Sequence, residues 1–595
     1  MKKDVVIIGS GCAGFSAADR LLRFGITDIV LLTEGINCGT SRNTGSDKQT
    51  YYKADLTLSG DSIKAMAESI YDGGGIDGDK AAVEAINSLR CFYTLEEYGL
   101  DFPKGDYGEY LGYKTDHDNS VRATSKGPLT SKLMTEVLEK ATTERGLEII
   151  DRAFAVKICT TENKVSGLVY YNLQANTFKF IETAYIIMAV GGSASVYKDV
   201  VYPASQHGSL SLALDCGCKL QNITEWQYGI ASTDFRWNLS GSYQQVIPRY
   251  VSVDENGNEY EFLSDYIDNE NIFNLIFLKG YEWPFDSRKI NGSSKIDLAV
   301  SEEIKKGRQV FVDYRSNPTG YFLSENSEPF EFYKKNEILG VTPYERLCGL
   351  NPKAVKLFFD HNIDLSKKML KIAVCAQHCN GGVKVDTSFE TQLSGLFAIG
   401  EASGNFGVYR PGGTALNSTQ VGALRAAQKI KSDIKKYQSD NTYFDTENII
   451  KGELDFLNSH ISNTDNISEV SVYFKTQFSR YAGIMRNVKE ISRLKAEIEE
   501  YLNEKKKVTI SSALKVKELY NCYDMLKTQY VLAQSILNSY KVFGSRGGAV
   551  TCGEKNIMAE KSDSGEFIVE STYCKVELLK RRQMAIKEYR FEKYM

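Results

Sequence analysis

The chain has 595 residues, 42% hydrophobic and 25% charged, enough to bury a large core and to divide into two or three domains. A formal net charge of −4, with Lys-rich stretches interleaved with Glu, excludes a bulk attraction to nucleic acid or an anionic membrane. The twelve cysteines include no Cys-x-x-Cys, and their close pairs, Cys216/Cys218 and Cys375/Cys379, lack further ligands at matching spacing, so they read as free thiols with no metal.

Met1-Lys2-Lys3 followed by Val5 to Ile8 imitates the start of a signal peptide, but Asp4 and the glycines Gly9, Gly11 and Gly14 cut the apolar run short. No later run approaches the ~18 apolar residues of a membrane span, so a cytoplasmic protein without membrane insertion is expected. The first residues read as a strand (Asp4 to Ile8), a glycine turn, a helix (Ala13 to Phe24) and a second strand (Asp28 to Leu32), a βαβ unit. Two further apolar runs end in glycine, Ala184 to Val190 before Gly191-Gly192 and Gly395 to Ile399 before Gly400-Glu401. Strands that end in glycine mark the edge at which an α/β sheet binds its ligand.

From about residue 223 to 370 the sequence turns aromatic and polar with weak periodicity, which predicts an inserted domain. From about 440 onward apolar positions recur at three-to-four spacing, through Val488 to Tyr501 and Ala513 to Tyr540, and predict a helical domain. The expected division is therefore 1–222 and 371–435 for two parts of one nucleotide-binding domain, 223–370 for the insertion, and 436–595 for the helical domain and tail.

Gly9-Ser10-Gly11-Cys12-Ala13-Gly14 follows a strand and opens a helix. Its glycines suit a tight turn, close approach of a pyrophosphate to the backbone, and close packing of helix on strand, with the phosphates at the helix N-terminus. Glu34 lies about 20 residues beyond Gly14, where a carboxylate accepts from ribose hydroxyls. The fingerprint serves NAD and FAD alike.

The downstream segments separate the two. Ser41-Arg42-Asn43-Thr44-Gly45, Ala189-Val190-Gly191-Gly192, Trp226-Gln227-Tyr228, Gly381 to Asp386, Gly395 to Glu401 and Tyr409-Arg410-Pro411-Gly412-Gly413 occur in that order. In them the chain resembles the flavoprotein subunits of succinate dehydrogenase and fumarate reductase, together with L-aspartate oxidase, over nearly its whole length. The resemblance implies an α/β fold: a Rossmann-type FAD-binding domain, an inserted α+β capping domain and a C-terminal helical domain. It further implies that Glu34 holds the adenosine ribose, that Ala155 lies near the adenine, and that Ser41, Asn43, Thr44 and Gly45 pass along the isoalloxazine and pyrophosphate. Ala189 and Gly191 would belong to the same site, with Glu401 on the ribityl chain and Ala415-Leu416 over the pyrimidine edge. The membrane-complex relatives carry a covalent flavin link on a His one residue before the Thr; Asn43 stands there, so non-covalent FAD is expected.

For the reacting end the resemblance implies hydride exchange between flavin N5 and a carbon beside a carboxylate or amine. Arg410 matches the arginine that clamps the substrate carboxylate, a task suited to a guanidinium fork that stays charged. Departures accompany it. Gln377 stands in place of a substrate-binding His, with His378 one step on as a candidate acid or base, and Gly229-Ile230-Ala231 replaces the His-Pro-Thr that follows Trp226-Gln227-Tyr228 in relatives. The proton-donating arginine of the lid aligns ambiguously, to Arg288 or Lys295. Two missing imidazoles predict an enlarged pocket near Trp226, Tyr228 and Tyr409, the two tyrosines as substrate contacts. The expected activity is FAD-dependent oxidation or reduction at the α,β-bond of a small carboxylate, with an unidentified electron donor or acceptor and with self-association left open. The alternatives are an amino-acid oxidase of the L-aspartate oxidase type and a flavin subunit that only relays electrons.

Overall fold

The computed structural model describes residues 1–55, 57, 60–268, 271–434, 445–552, 565–569 and 576–580. Val5–Ile8 is a run of β-branched residues buried on both faces, as a central parallel strand requires. It lies between Ile29–Leu32 and Tyr185–Met188, with Ile8 level with Leu32 and Met188. The outer strands Leu396–Ala398 and Glu148–Ile150 complete a five-stranded parallel sheet. The helix Cys12–Arg23 packs on it between the helices Thr130–Thr143 and Thr414–Asp433. An antiparallel meander, Ala153–Thr161, Lys164–Asn172 and Thr177–Glu182, completes the Rossmann-type layer arrangement expected from the glycine-ended strands.

The aromatic, polar stretch forms the second layer. Its six-stranded antiparallel sheet runs in the order Trp237–Asn238, Trp226–Ser232, Leu370–Cys379, Gln309–Asp313, Arg249–Val253, Glu259–Tyr260. It has a separate core that includes Ile230, Tyr243, Phe277, Ile296, Val312 and Phe358. Its register slips once, between Trp226–Ser232 and Leu370–Cys379. Gln227 pairs with His378 while Tyr228 pairs with Ala376, so Gln377 is the extra residue of a β-bulge.

The helices Thr446–His460, Ile467–Tyr481, Val488–Leu502 and Val516–Phe543 come next in the chain. The helical reading of the C-terminal part does not extend to its end. Gly565–Val569 and Val576–Lys580 pair antiparallel, and the first of them also pairs with Leu220–Gln221, joining the tail to a small sheet beside Gly382–Val383. No described helix is long and apolar enough to cross a membrane.

Candidate functional site

A continuous cavity of about 900 Å³ opens where the glycine-ended strands finish, near the upper end of the size range of small-molecule and cofactor sites. Gly9, Gly11, Glu34, Ser41, Thr44 and Gly45 line it. Ala155, Ala189, Gly191, Glu401, Ala415 and Leu416 line it as well, so residues far apart in sequence meet around one space.

Its corner at the glycine turn is made of backbone. Gly9 has φ +111°, and a Cβ there would meet the Ala189 carbonyl oxygen at 2.4 Å, so the turn admits no side chain. The helix begins at Cys12 after Gly11 with no side-chain cap. The Cys12 N–H donates to Ser41 Oγ (3.1 Å), and the N–H groups at a helix start face an anion favourably. Gly14 does not line the cavity: a Cβ there would meet the Gly9 carbonyl oxygen at 1.9 Å, so it is the residue that lets helix and turn touch. The helix Thr414–Asp433 starts in the same way, at Gly413 with φ +92° and no side-chain cap, beside Ala415 and Leu416.

Asn43 also lies outside the cavity wall. Its exposed amide donates to the carbonyls of Asn37 (2.8 Å) and Gly39 (2.9 Å), closing the local turn. Glu401 is half-buried, and its Oε1 accepts from Cys379 N–H (2.9 Å) and from the Tyr202 hydroxyl. Burial pushes its carboxyl up to about 7.

At the other end the bulge brings Gln377 and His378 both into the cavity wall, with Gln227 and Arg410. The buried Arg410 guanidinium donates through Nε (3.1 Å) and Nη2 to Gln227 Oε1 and through Nη1 to Thr414 Oγ1 (3.3 Å). These partners are neutral. Burial lowers the Arg410 pKa to about 10, which still leaves the group charged at neutral pH. Because Gln227 Oε1 faces the guanidinium, its amide nitrogen is left as a donor.

His378 is likewise oriented. Asn380 donates through Nδ2 to the Val408 carbonyl (3.1 Å), which turns its Oδ1 to His378 Nδ1 (3.0 Å) and places the imidazole proton on Nδ1. His378 Nε2 is then a bare lone pair, buried and without a hydrogen-bond partner among the described residues. Burial, and Arg410 second, hold its pKa well below the usual value, so the ring is neutral.

Four expected contacts are elsewhere. Tyr228 points to the opposite face of its strand from Gln227, as strand alternation requires, and bonds Tyr197 (OH to OH, 2.9 Å). Tyr409 sits outside the wall, with its hydroxyl accepting from Gly547 N–H (3.2 Å). Arg288 pairs with Asp286 (2.7 Å) and stacks its guanidinium 3.5 Å above the Tyr409 ring, fastening the cap to the FAD-binding layer. Lys295 is half-buried on the helix Ser294–Lys305, away from the cavity wall. The predicted enlargement near Trp226, Tyr228 and Tyr409 is therefore not there. Gly229, at the position where the resemblance implies a His in relatives, is covered by Trp283: a Cβ on Gly229 would meet that indole at 2.5 Å.

Sequence reasoning missed Gln227, Trp283 and Asp116. Asp116 and His117 form the two-residue turn between Tyr113–Thr115 and Asp118–Thr124, and both line the cavity. Burial raises the Asp116 carboxyl to about 6. The alternation of Trp226-Gln227-Tyr228 was the available signal for Gln227; none marked the turn.

A family model described as an FAD binding domain matches residues 4–416. The chain belongs to this FAD-binding family. It is an FAD-dependent oxidoreductase related to L-aspartate oxidase and fumarate reductase flavoproteins. An uncharacterized FAD-dependent oxidoreductase of Methanocaldococcus jannaschii is 22% identical over 551 residues, covering 91% of each chain. L-aspartate oxidase of Vibrio cholerae is 24% identical, covering 72% of this chain and 74% of the relative. The FrdA chain of E. coli quinol fumarate reductase has the same fold, with a TM-score of 0.73 at 18% identity over 99% of this chain and 98% of that one. The glycine turn, the two glycine-started helices and the cavity volume fit FAD.

Proposed function

We propose that this oxidoreductase exchanges hydride between FAD and a carbon beside the carboxylate of a small substrate, with Arg410 holding that carboxylate. The observation that carries the reading is a buried guanidinium in the cavity wall whose bonds to Gln227 and Thr414 end on neutral oxygens. No carboxylate is hydrogen-bonded to the guanidinium among the described residues, and a substrate carboxylate would accept in the two-pronged geometry that arginine offers. Gln227 and Gln377 add neutral donors beside it.

FAD, when bound, supplies the two-electron exchange. Glu34, Ser41, Thr44 and Gly45 would hold it together with the Gly9 turn, and Asn43, turned away from the cavity, leaves it without a covalent tether. The chain's own work is placement and proton transfer. His378, neutral with its bare lone pair on Nε2, has no proton to give at that atom. This favours the oxidising direction, in which the substrate loses a proton as it loses hydride.

Asp116 supports a second reading. A half-buried carboxylate in the same cavity as Arg410 suits a zwitterion, an α-amino acid with its ammonium toward Asp116. The V. cholerae relative is named for oxidation of such a substrate.

The test is titration of the FAD-loaded protein with succinate, fumarate and L-aspartate, following the visible absorption of the flavin. Arg410→Ala is expected to keep its FAD and weaken carboxylate binding about 100-fold or more, the usual cost of removing one partner of a buried charged pair. A loaded Arg410→Ala protein that binds all three as the parent does refutes the clamp. Hydrogen peroxide formed in air from L-aspartate alone decides for the second reading.

A further inference from the structure

Glu34, at the end of the second strand of the βαβ unit, is met by a residue almost five hundred positions later. Lys517 Nζ forms an ion pair with Glu34 Oε2, both side chains being mostly buried. Lys517 lies in the first turn of the helix Val516–Phe543. Two turns on, and so on the same side of the helix, Asp524 accepts backbone N–H groups from Ser209 (3.2 Å) and Ser211 (2.8 Å). Further along, Gln529 donates to the Val196 carbonyl (2.8 Å). The segment thus pinned contributes Ser205, Gln206 and His207 to the cavity wall.

We infer that Lys517 is a positioning residue for the adenosine end of the cofactor. The ammonium engages Oε2, so that Oε1 is turned to accept from a ribose hydroxyl. Retention of FAD then depends on the docking of a C-terminal helix, not on the Rossmann layer alone. The inference rests on placing the ribose at Glu34. An ordinary exposed ion pair would leave the cofactor indifferent to its loss; this one sits on a helix that Asp524 and Gln529 bond to the segment lining the cavity, and it shares its carboxylate with the cavity.

The experiment uses the full-length protein stripped of flavin, titrated with FAD and with FMN by flavin fluorescence, FMN lacking the adenosine. Lys517→Ala is expected to weaken FAD about five-fold, the scale of a partly exposed ion pair, and to leave FMN unchanged. Lys517→Arg should restore FAD binding, and Lys527→Ala, which breaks an ion pair to Asp215 on the same helix, should behave as the parent. Glu34→Gln should weaken FAD as well, with no further loss when Lys517→Ala is added. If Lys517→Ala binds FAD as the parent does while Glu34→Gln does not, the positioning role is overturned. If Glu34→Gln also binds as the parent does, the ribose assignment falls and the inference with it. An equal loss of FAD and FMN in Lys517→Ala overturns it too, since it marks damage to the fold.

Discussion

Gln227→Glu replaces one atom pair and is expected to abolish carboxylate recognition while leaving the cofactor in place. Gln227 Oε1 already lies on the Nε and Nη2 edge of Arg410, so the substitution puts an anion where a neutral oxygen stood, with no change in shape. At about 4 Å and an effective dielectric constant near 20, a unit charge pair is worth about 4 kcal/mol. That attraction competes with the incoming substrate for the same guanidinium, and the substitution also removes the amide donor beside it. Part of the gain is lost to burying the new charge, which leaves an expected 100- to 1,000-fold loss of affinity. The assay is the absorption titration with succinate and L-aspartate, with FAD content measured on the same sample. A fully loaded Gln227→Glu protein that binds either ligand within three-fold of the parent refutes the idea that Arg410 acts through a guanidinium edge held only by a neutral partner.

Two other positions give checkable outcomes. Glu84, buried, accepts from Asn417 Nδ2 (3.0 Å) and Ser418 Oγ (2.7 Å) on the helix Thr414–Asp433, and burial raises its carboxyl from 4.5 to about 7. The native state therefore keeps a proton that the unfolded chain gives up, so its contribution is full below pH 4.5 and is lost as pH rises to 7, by on the order of 3 kcal/mol. Glu84→Gln, which resembles the protonated form, should melt with the parent near pH 4.5 and above it at pH 8; equal melting at both refutes the assignment. Acid precipitation should release all the flavin to the supernatant, because Asn43 spends its amide on Asn37 and Gly39; a yellow pellet would show a covalent link.

The parts of the site legible in the sequence are those whose chemistry is local. The glycines of the first turn announce themselves because only they tolerate the backbone contact at Ala189, and Glu34 follows from the length of one helix and one strand. The reacting end was legible only in its residue types. Whether Tyr228 or Gln227 faces the cavity depends on strand parity, and whether Gln377 and His378 both do depends on a bulge, which pairing with a strand about 150 residues earlier creates. Trp283 over Gly229 is a contact between segments that no spacing rule connects. The C-terminal hairpin was missed because the stretch beyond Tyr540 was read only as a tail, with no strand alternation drawn from it.

The parallel sheet has a consequence for how the molecule comes to be folded. Val5–Ile8 is made first, yet its neighbour Tyr185–Met188 and the edge strand Leu396–Ala398 come far later, with the capping layer intervening. Strand pairing over such separations demands loop closure before it returns any contact energy, so it is slow. During synthesis the first βαβ unit waits, its apolar strand open on one side, until residue 188 has emerged, and the sheet stays unfinished until residue 398. Cofactor capture therefore belongs to the end of folding, when the early glycine turn at last acquires its distant walls.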